Sequence, residues 1–275
     1  MLPVKTSVWL LSLCLILPGC GHQTGRAGGA AAGQHEPVIS EGLSRAKQSE
    51  ISPSDAVQRL MDGNNRFLSG KQFKRDLLAQ AQSRGVSGQF PFASIVSCAD
   101  SRADPALLFD QGLADIFVAR VEGNLVNADV LGSLEYAAKI SGSKAIVVLG
   151  HNHCGAVKSA CDGIKLGNFT QLINRISPAV KATPSVGGSD RLSSNYEFVD
   201  AVAVKNVELS LKAIRSGSPV LKELENKGQL KIVGAMLDIE TGKVTFMGEP
   251  IGPGVKTKIK TSKAAALPPV DEMGN

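Results

Sequence analysis

Apolar runs and amphipathic segments alternate along the middle of the chain. Short apolar runs at 92–98, 115–121, 144–150 and 230–238 are typical of buried parallel strands. Helical periodicity is found at 127–141, 155–164, 168–181, 196–216 and 218–227. This alternation predicts an α/β domain with a mostly parallel central β-sheet flanked by helices, joined by right-handed crossovers.

Two further sequence patterns predict additional elements at the two ends of this domain. Ser52 followed by Pro53 and Asp55 is typical of a helix start, and apolar positions then follow one helical face up to Gly70. This predicts an N-terminal helical extension. Near the other end, Gly242-Lys243 separates the fourth strand from Val244–Met247, which favours a final hairpin on the sheet edge.

Residues 1–20 have the pattern of a signal peptide. Lys5 supplies the positive start, Val8 to Leu17 form an apolar stretch of about ten residues, and Leu17-Pro18-Gly19-Cys20 resembles a lipobox. The stretch is short for a membrane span, which needs about 20 residues. We therefore expect export to the periplasmic side of the cell envelope, with a lipid on Cys20 as the membrane anchor. The alternative is ordinary secretion, with Cys20 merely near the cleavage site.

The rest of the chain divides by composition. Residues 21–50 are rich in Gly, Ala, Gln and Ser without apolar periodicity, which predicts a flexible tether. Residues 51–250 contain the alternating pattern and form the predicted folded domain. After Pro250 the pattern is lost, and 251–275 are expected to be a mobile tail.

Composition and charge indicate a globular domain and argue against a nucleic-acid partner. With 275 residues, 43% of them hydrophobic, the chain can bury the core of one domain with extensions. The net charge is +5, but the basic residues are spread along the chain and form no stripe. The sequence therefore gives no reason to expect nucleic acid as a partner.

The candidate chemistry lies directly after two of the predicted strands. Cys98-Ala99-Asp100-Ser101-Arg102 follows the first strand, and His151-Asn152-His153-Cys154-Gly155 follows the third. The carboxyl ends of parallel strands are where ligands bind in open α/β sheets. Two thiolates and an imidazole, from Cys98, Cys154 and His151, are suited to one catalytic Zn²⁺ per chain, whose fourth position stays open for water or substrate. A disulfide between the two cysteines is the alternative, but it would leave His151 unexplained.

Asp100 has two possible roles beside this site. Paired with Arg102, it could orient the zinc-bound hydroxide and help to pass protons. As a fourth zinc ligand, it would displace the water and switch the site off. A salt bridge that only stiffens the loop is the simpler structural interpretation.

Both motifs, in this order, resemble the β-class carbonic anhydrases, whose pattern is Cys-x-Asp-x-Arg followed by His-x-x-Cys. The resemblance extends through Phe109-Asp110-Gln111-Gly112 and Gly132-Ser133-Leu134-Glu135-Tyr136 and covers about 52–248. It implies reversible hydration of carbon dioxide to bicarbonate and a proton by a zinc-bound hydroxide. It also implies a homodimer or homotetramer, both states of Asp100, and substrate-binding roles for Gln111 and Gly155, with Gln111 often reaching the pocket of the partner subunit.

Glu122 and the access to the pocket keep other functions open. Glu122 stands where members of the resembled family carry a small residue, so its carboxylate either perturbs the pocket or points to solvent. Hydrolysis of carbonyl sulfide or carbon disulfide, or a non-catalytic zinc-binding role in the envelope, are the alternatives. His153 lies between the proposed ligands and could be a rival ligand or a proton carrier. A partly exposed side chain without such a role is the simpler interpretation.

Overall fold

The computed structural model describes residues 38–248 of the protein. The predicted signal peptide, the lipid site at Cys20, most of the tether and the C-terminal tail lie outside the described residues. Within 38–248, none of the helices combines the length and apolarity needed to cross a bilayer.

A five-stranded sheet forms the centre, in the order β2-β1-β3-β4-β5. The strands are β1 (Ala93–Ser97), β2 (Ile116–Arg120), β3 (Ala145–His151), β4 (Lys231–Leu237) and β5 (Val244–Phe246). The first four are parallel, whereas β5 pairs with β4 in the antiparallel sense. The predicted mostly parallel sheet and its final hairpin are thus confirmed.

Helices cover both faces of this sheet. They are α1 (Arg45–Ser49), α2 (Pro53–Leu68), α3 (Leu77–Ser87), α4 (Pro105–Leu108), α5 (Ala128–Glu135), α6 (Gly155–Asp162), α7 (Gly167–Ala182), α8 (Tyr196–Gly217) and α9 (Pro219–Asn226). A π-helical turn, Tyr136–Ile140, continues α5 and completes the segment predicted at 127–141. The other predicted helices are found within two residues of their expected ends, whereas α3 and α4 were not predicted.

The start of the packed chain differs from the prediction. Helix α1 lies in the stretch assigned to the tether, and its Gln48 side chain is buried. The Gln48 amide donates to the carbonyl oxygens of Pro91 and Ser141, both at 2.7 Å. Because these bonds join α1 to the body of the domain, the packed part begins before residue 51.

The core explains why the strands have continuous apolar runs. Successive residues of a strand point to opposite faces, so Ile95 packs under α2 while Val96 packs on the side of α5, α8 and α9. Every residue of β1 and β3 is buried. Full burial of one such aliphatic side chain contributes roughly 1.5–3 kcal/mol. Strand β2, at the sheet edge, is partly or fully exposed at every position.

Helix α2 begins as predicted. The Ser52 hydroxyl accepts from the Asp55 N–H at 3.1 Å, and the Asp55 carboxylate accepts from the Ser52 N–H at 3.3 Å, which forms a capping box. The same helix passes very close to the end of α4. A Cβ at Gly63 would lie 1.8 Å from the carbonyl oxygen of Phe109, so only glycine permits this approach.

Candidate metal centre

The sheet brings the two sequence motifs to one edge. Strands β1 and β3 are neighbours, with Ser97 paired to Leu149. Cys98 directly follows β1, His151 is the last residue of β3, and Cys154 is the N-cap of α6. The parallel register therefore places all three residues at the carboxyl end of the sheet.

The three predicted ligands form a compact, buried cluster. One ligand atom from each of Cys98, His151 and Cys154 lies within 4.8 Å of the other two. Each residue is about 1% exposed. Both cysteines are free thiols, so the alternative of a disulfide is not supported.

The ring of His151 is oriented for metal binding. Its Nδ1 lies 2.8 Å from the carbonyl oxygen of Asn152. Because a carbonyl only accepts hydrogen bonds, Nδ1 carries the proton and Nε2 presents its lone pair. This Nε2 is buried and has no hydrogen-bond partner among residues 38–248. A buried free imidazole lone pair beside two sulfur atoms fits the donor set of zinc.

Hydrogen bonding prepares Cys98 as a thiolate. The N–H groups of Gly123 and Asp100 donate to its Sγ at 3.3 and 3.5 Å. The hydrogen bond from the Cys154 thiol contributes most; with the His151 ring and these N–H groups it outweighs burial and lowers the pKa of Cys98 to about 3. The pKa of Cys154 is raised, because it shares a hydrogen bond with Cys98 and is buried. The pair thus holds negative charge in the protein interior, which favours a cation between them.

Asp100 and Arg102 form the ion pair expected from their spacing. Arg102 Nε and Nη2 donate to the two carboxylate oxygens of Asp100 at 3.0 and 2.8 Å, and the Arg102 N–H donates to Oδ1 at 2.9 Å. The hydrogen bonds from Arg102 outweigh partial burial and lower the pKa of Asp100 to about 2. The carboxylate is therefore ionised and held by the guanidinium at neutral pH.

Arg120 secures the loop that carries this pair, a role that sequence reasoning did not identify. Its guanidinium donates to the carbonyl oxygens of Cys98 and Asp100 and forms a 3.4 Å contact with Asp104. The position of Arg120 at the end of β2, the strand beside β1, was the available signal.

Helix α8 supports the opposite side of the site, also without having been predicted to do so. Asn206 donates to the Gly123 carbonyl at 2.7 Å, and Ser210 donates to the Asn124 carbonyl at 3.3 Å. Gly123 and Asn124 both have positive φ, at 68° and 46°. Polar residues on the otherwise apolar buried face of α8 were the signal that could have indicated this support.

His153 is partly exposed, as expected, and lies against α8. Its side chain is 9% exposed and lies 3.6 Å from the Asp200 carboxylate, with its ring 4.8 Å from that of Tyr196. Its N–H donates to Asp200 at 2.8 Å, and its φ is 53°. Helix α8 covers most of the side chain, while the residue as a whole stays partly exposed. His153 is not part of the ligand cluster; instead, Asp200 fixes the turn between His151 and Cys154.

The two predicted substrate-binding residues lie in different places. Gly155 is exposed in the first turn of α6, beside Cys154. The Gln111 amide donates to the carbonyl of Phe109 and lines a cavity with Arg59 and Phe73. In the described chain, no residue of the metal cluster lines that cavity. A single protomer does not bring Gln111 to its own site.

Glu122 points toward the site, not into solvent. Its Oε2 lies 3.5 Å from Cys98 Sγ, and the residue is partly buried. Burial, followed by the neighbouring Cys98 thiolate and the Asp100 carboxylate, raises the pKa of Glu122 to about 7. Of the two interpretations drawn from the sequence, the one in which Glu122 perturbs the pocket is supported.

Comparison with known proteins places the chain in a family. A family model described as carbonic anhydrase matches residues 93–244. Carbonic anhydrase 2 of Mycobacterium tuberculosis is 34% identical over 200 residues, which cover 71% of this chain and 93% of that protein. The carbonic anhydrase of Mycolicibacterium smegmatis is 30% identical over 198 residues, which cover 70% of this chain and 92% of that protein.

Solved structures agree with the sequence relatives. The β-carbonic anhydrase of Coccomyxa, in complex with acetazolamide, has a TM-score of 0.54 at 28% identity and covers 62% of this chain and 78% of that one. A tetrameric β-carbonic anhydrase of Sordaria macrospora has a TM-score of 0.52 at 22% identity. The match covers 70% of this chain and 98% of that one, and it supports the fold. With the ligand cluster, these matches show that the chain belongs to the β-class carbonic anhydrases, the zinc enzymes of carbon dioxide hydration.

Proposed function

We propose that the protein catalyses the reversible hydration of carbon dioxide to bicarbonate and a proton, with zinc held by Cys98, His151 and Cys154. The buried cluster of two sulfurs and one free imidazole nitrogen carries this proposal. Zinc bound there supplies Lewis-acid activation of water, which is the chemistry that hydration requires. The three ligands supplied by the chain leave a fourth position for the reacting molecules.

Asp100 and Arg102 are proposed to act as one catalytic unit. The guanidinium engages both carboxylate oxygens, so Asp100 is held in place while its side chain stays 15% exposed. From this position the carboxylate can accept a hydrogen bond from the nucleophilic water and pass its proton toward solvent. Arg102 therefore positions Asp100 and keeps it ionised.

The substrate-binding roles are assigned to Gly155 and Gln111. Gly155 lies in the first helical turn of α6, where backbone N–H groups lack helical acceptors and can donate to the anionic product. Gln111 can act only where a second protomer presents it, because it faces a different cavity in its own chain.

A homodimer, or a tetramer built from dimers, is therefore part of the proposed function. Strand β2 is the open edge of the sheet, and Val118 on it is 41% exposed. Tyr136 and Ile140, on the adjoining helical turn, are 51% and 64% exposed. An exposed strand edge bordered by apolar side chains is suited to pairing with a second copy.

Export and lipid anchoring complete the proposal. The apolar segment from Val8 to Leu17 and the lipobox-like Leu17-Pro18-Gly19-Cys20 support a lipoprotein on the periplasmic side of the envelope. There the enzyme would act on carbon dioxide and bicarbonate that cross the envelope.

Replacing Cys98 tests the metal centre and the activity together. Cys98→Ser removes a thiolate from the cluster, so zinc content should fall well below one ion per chain. Hydration measured by stopped-flow should fall by more than the roughly 10- to 100-fold that loss of an outer-shell partner costs. Cys161→Ser, on α6 but outside the cluster, is the matched control. Retention of both zinc and turnover by Cys98→Ser would refute the assignment.

Replacing Arg102 tests the unit that it forms with Asp100. Arg102→Gln should lower kcat/KM by about 10- to 100-fold, because Asp100 is no longer held. Since the folded-state pKa of Asp100 is lowered to about 2, its carboxylate stays ionised and paired until the pH falls through that value. The loss should therefore be equally large from about pH 6 to 9. Arg175→Gln, at an exposed site on α7, is the control and should leave kcat/KM unchanged. If Arg175→Gln lowered kcat/KM as much as Arg102→Gln, or if Arg102→Gln did not lower it, the proposed role of Arg102 would be contradicted.

Replacing Val118 tests the interface. Val118→Glu places a charge on the exposed edge of β2 and should shift the protein toward monomers in sedimentation equilibrium. Leu192→Glu, equally an exposed apolar residue but outside this edge, is the control and should keep the assembly intact. A wild-type protein that is monomeric at micromolar concentration would refute the proposed assembly.

Replacing Cys20 tests the anchor. Cells that express the full chain should incorporate labelled fatty acid into the protein, and Cys20→Ser should abolish the label and release the protein from the membrane fraction. Cys161→Ser should retain both. Unlabelled wild-type protein in the soluble periplasmic fraction would instead indicate ordinary secretion.

A further inference from the structure

Glu122 has an unusual position at the metal centre. It begins the turn Glu122–Asn124, whose Gly123 N–H already donates to Cys98 Sγ. The Glu122 carboxylate approaches the same sulfur, with Oε2 at 3.5 Å. One turn thus directs a backbone donor and a carboxylate toward the same proposed ligand.

This carboxylate is paired with no lysine or arginine among residues 38–248, and the positive influence on its pKa comes from the His151 ring. Among residues 38–248, Glu122 forms no salt bridge, and Cys98 Sγ is its one hydrogen-bonding contact. The two guanidinium groups that hold the loop after Cys98 are already engaged, Arg102 with Asp100 and Arg120 with loop carbonyls. A partly buried carboxylate is stable when a cation or donors satisfy it. The cation that this site can offer is the metal.

The observed distance is compatible with ligation. Zinc binds thiolate sulfur at about 2.3 Å and carboxylate oxygen at about 2.0 Å, so two tetrahedral ligands of these types lie about 3.5 Å apart. Oε2 and Cys98 Sγ have this separation. The carboxylate is not yet within reach of all three other ligands, so a side-chain rotation is required. The Asp100 carboxylate, by contrast, has both oxygens bound by Arg102.

We propose that Glu122 is an additional ligand of this metal centre, which competes with water for the fourth position. The proposal rests on the proposed zinc site and gives Glu122 the closing role that was one of the possibilities for Asp100. It predicts an enzyme with restrained turnover, because the carboxylate must leave before substrate is converted. A residue that only narrows the pocket, or only adds negative charge, would not bind the metal.

Variants of Glu122 separate these possibilities. Glu122→Gln removes the charge with the same shape, and Glu122→Asp keeps the charge but shortens the side chain by one methylene. Glu223→Gln is the matched control, because it makes the same substitution on the exposed face of α9. Unfolding midpoints of the metal-free proteins establish that each variant is folded.

The first measurement is zinc affinity, by competition with a chromophoric chelator. Both Glu122→Gln and Glu122→Asp should bind zinc at least about tenfold more weakly than the wild type, while Glu223→Gln should be unchanged. Equal affinity of Glu122→Gln and the wild type would overturn the proposal. Wild-type affinity in Glu122→Asp, with loss only in Glu122→Gln, would also overturn it, because charge alone would then explain the effect.

The second measurement is the absorption spectrum of the cobalt-substituted protein during azide titration. The wild type should resist azide, whereas Glu122→Gln should bind it with a clear change in the d–d bands. Identical titrations would overturn the proposal. Failure of the zinc site itself would appear differently, as wild-type protein that does not bind one zinc per chain.

Discussion

The parallel pairing of β1 with β3 is the constraint on which the site depends. Ser97 pairs with Leu149, so Cys98 and the end of β3 emerge side by side. A slip of one residue would move Cys98 by about 3.3 Å and direct its side chain to the other face. Both strands are buried on both faces, so their apolar side chains fix the register. The metal geometry is therefore determined by packing in the core, away from the chemistry.

Electrostatic interactions explain how charged groups of the site can be buried beside an apolar core. The lowered pKa of Cys98 and the ionised Asp100 concentrate negative charge at one sheet edge. Arg102 pairs with Asp100, and Arg120 is committed to backbone carbonyls, so neither guanidinium forms a direct ion pair with the thiolate. A divalent cation is then the partner that makes the charges favourable, so we expect metal binding to contribute to the stability of the fold.

The sequence predicted features whose causes are local or periodic. Continuous apolar runs identify buried strands. The ligand chemistry of residues at two strand ends, supported by the spacing within each motif, selected Cys98, His151 and Cys154. The single turn of α4 and the short α1 were missed, because α1 depends on bonds from Gln48 to residues 43 and 93 positions away. Asp200 and Asn206 were missed for the same reason: each acts across the fold on a turn that is distant in sequence. The role of Gln111 could not be tested in one chain for a different reason. A single protomer contains only its own half of an interface.

Asp100 and Glu122 show how position in the chain decides the behaviour of a carboxylate. Asp100 lies two residues before Arg102, so its cation is supplied by the same loop and its pKa is lowered. Glu122 enters the same site from the end of β2 without a cation of its own, and burial beside a thiolate raises its pKa instead. The family motif describes the first carboxylate only. A substitution outside the motif, at a residue whose side chain converges on the same sulfur, can thus change which acid controls the centre while every motif residue is retained.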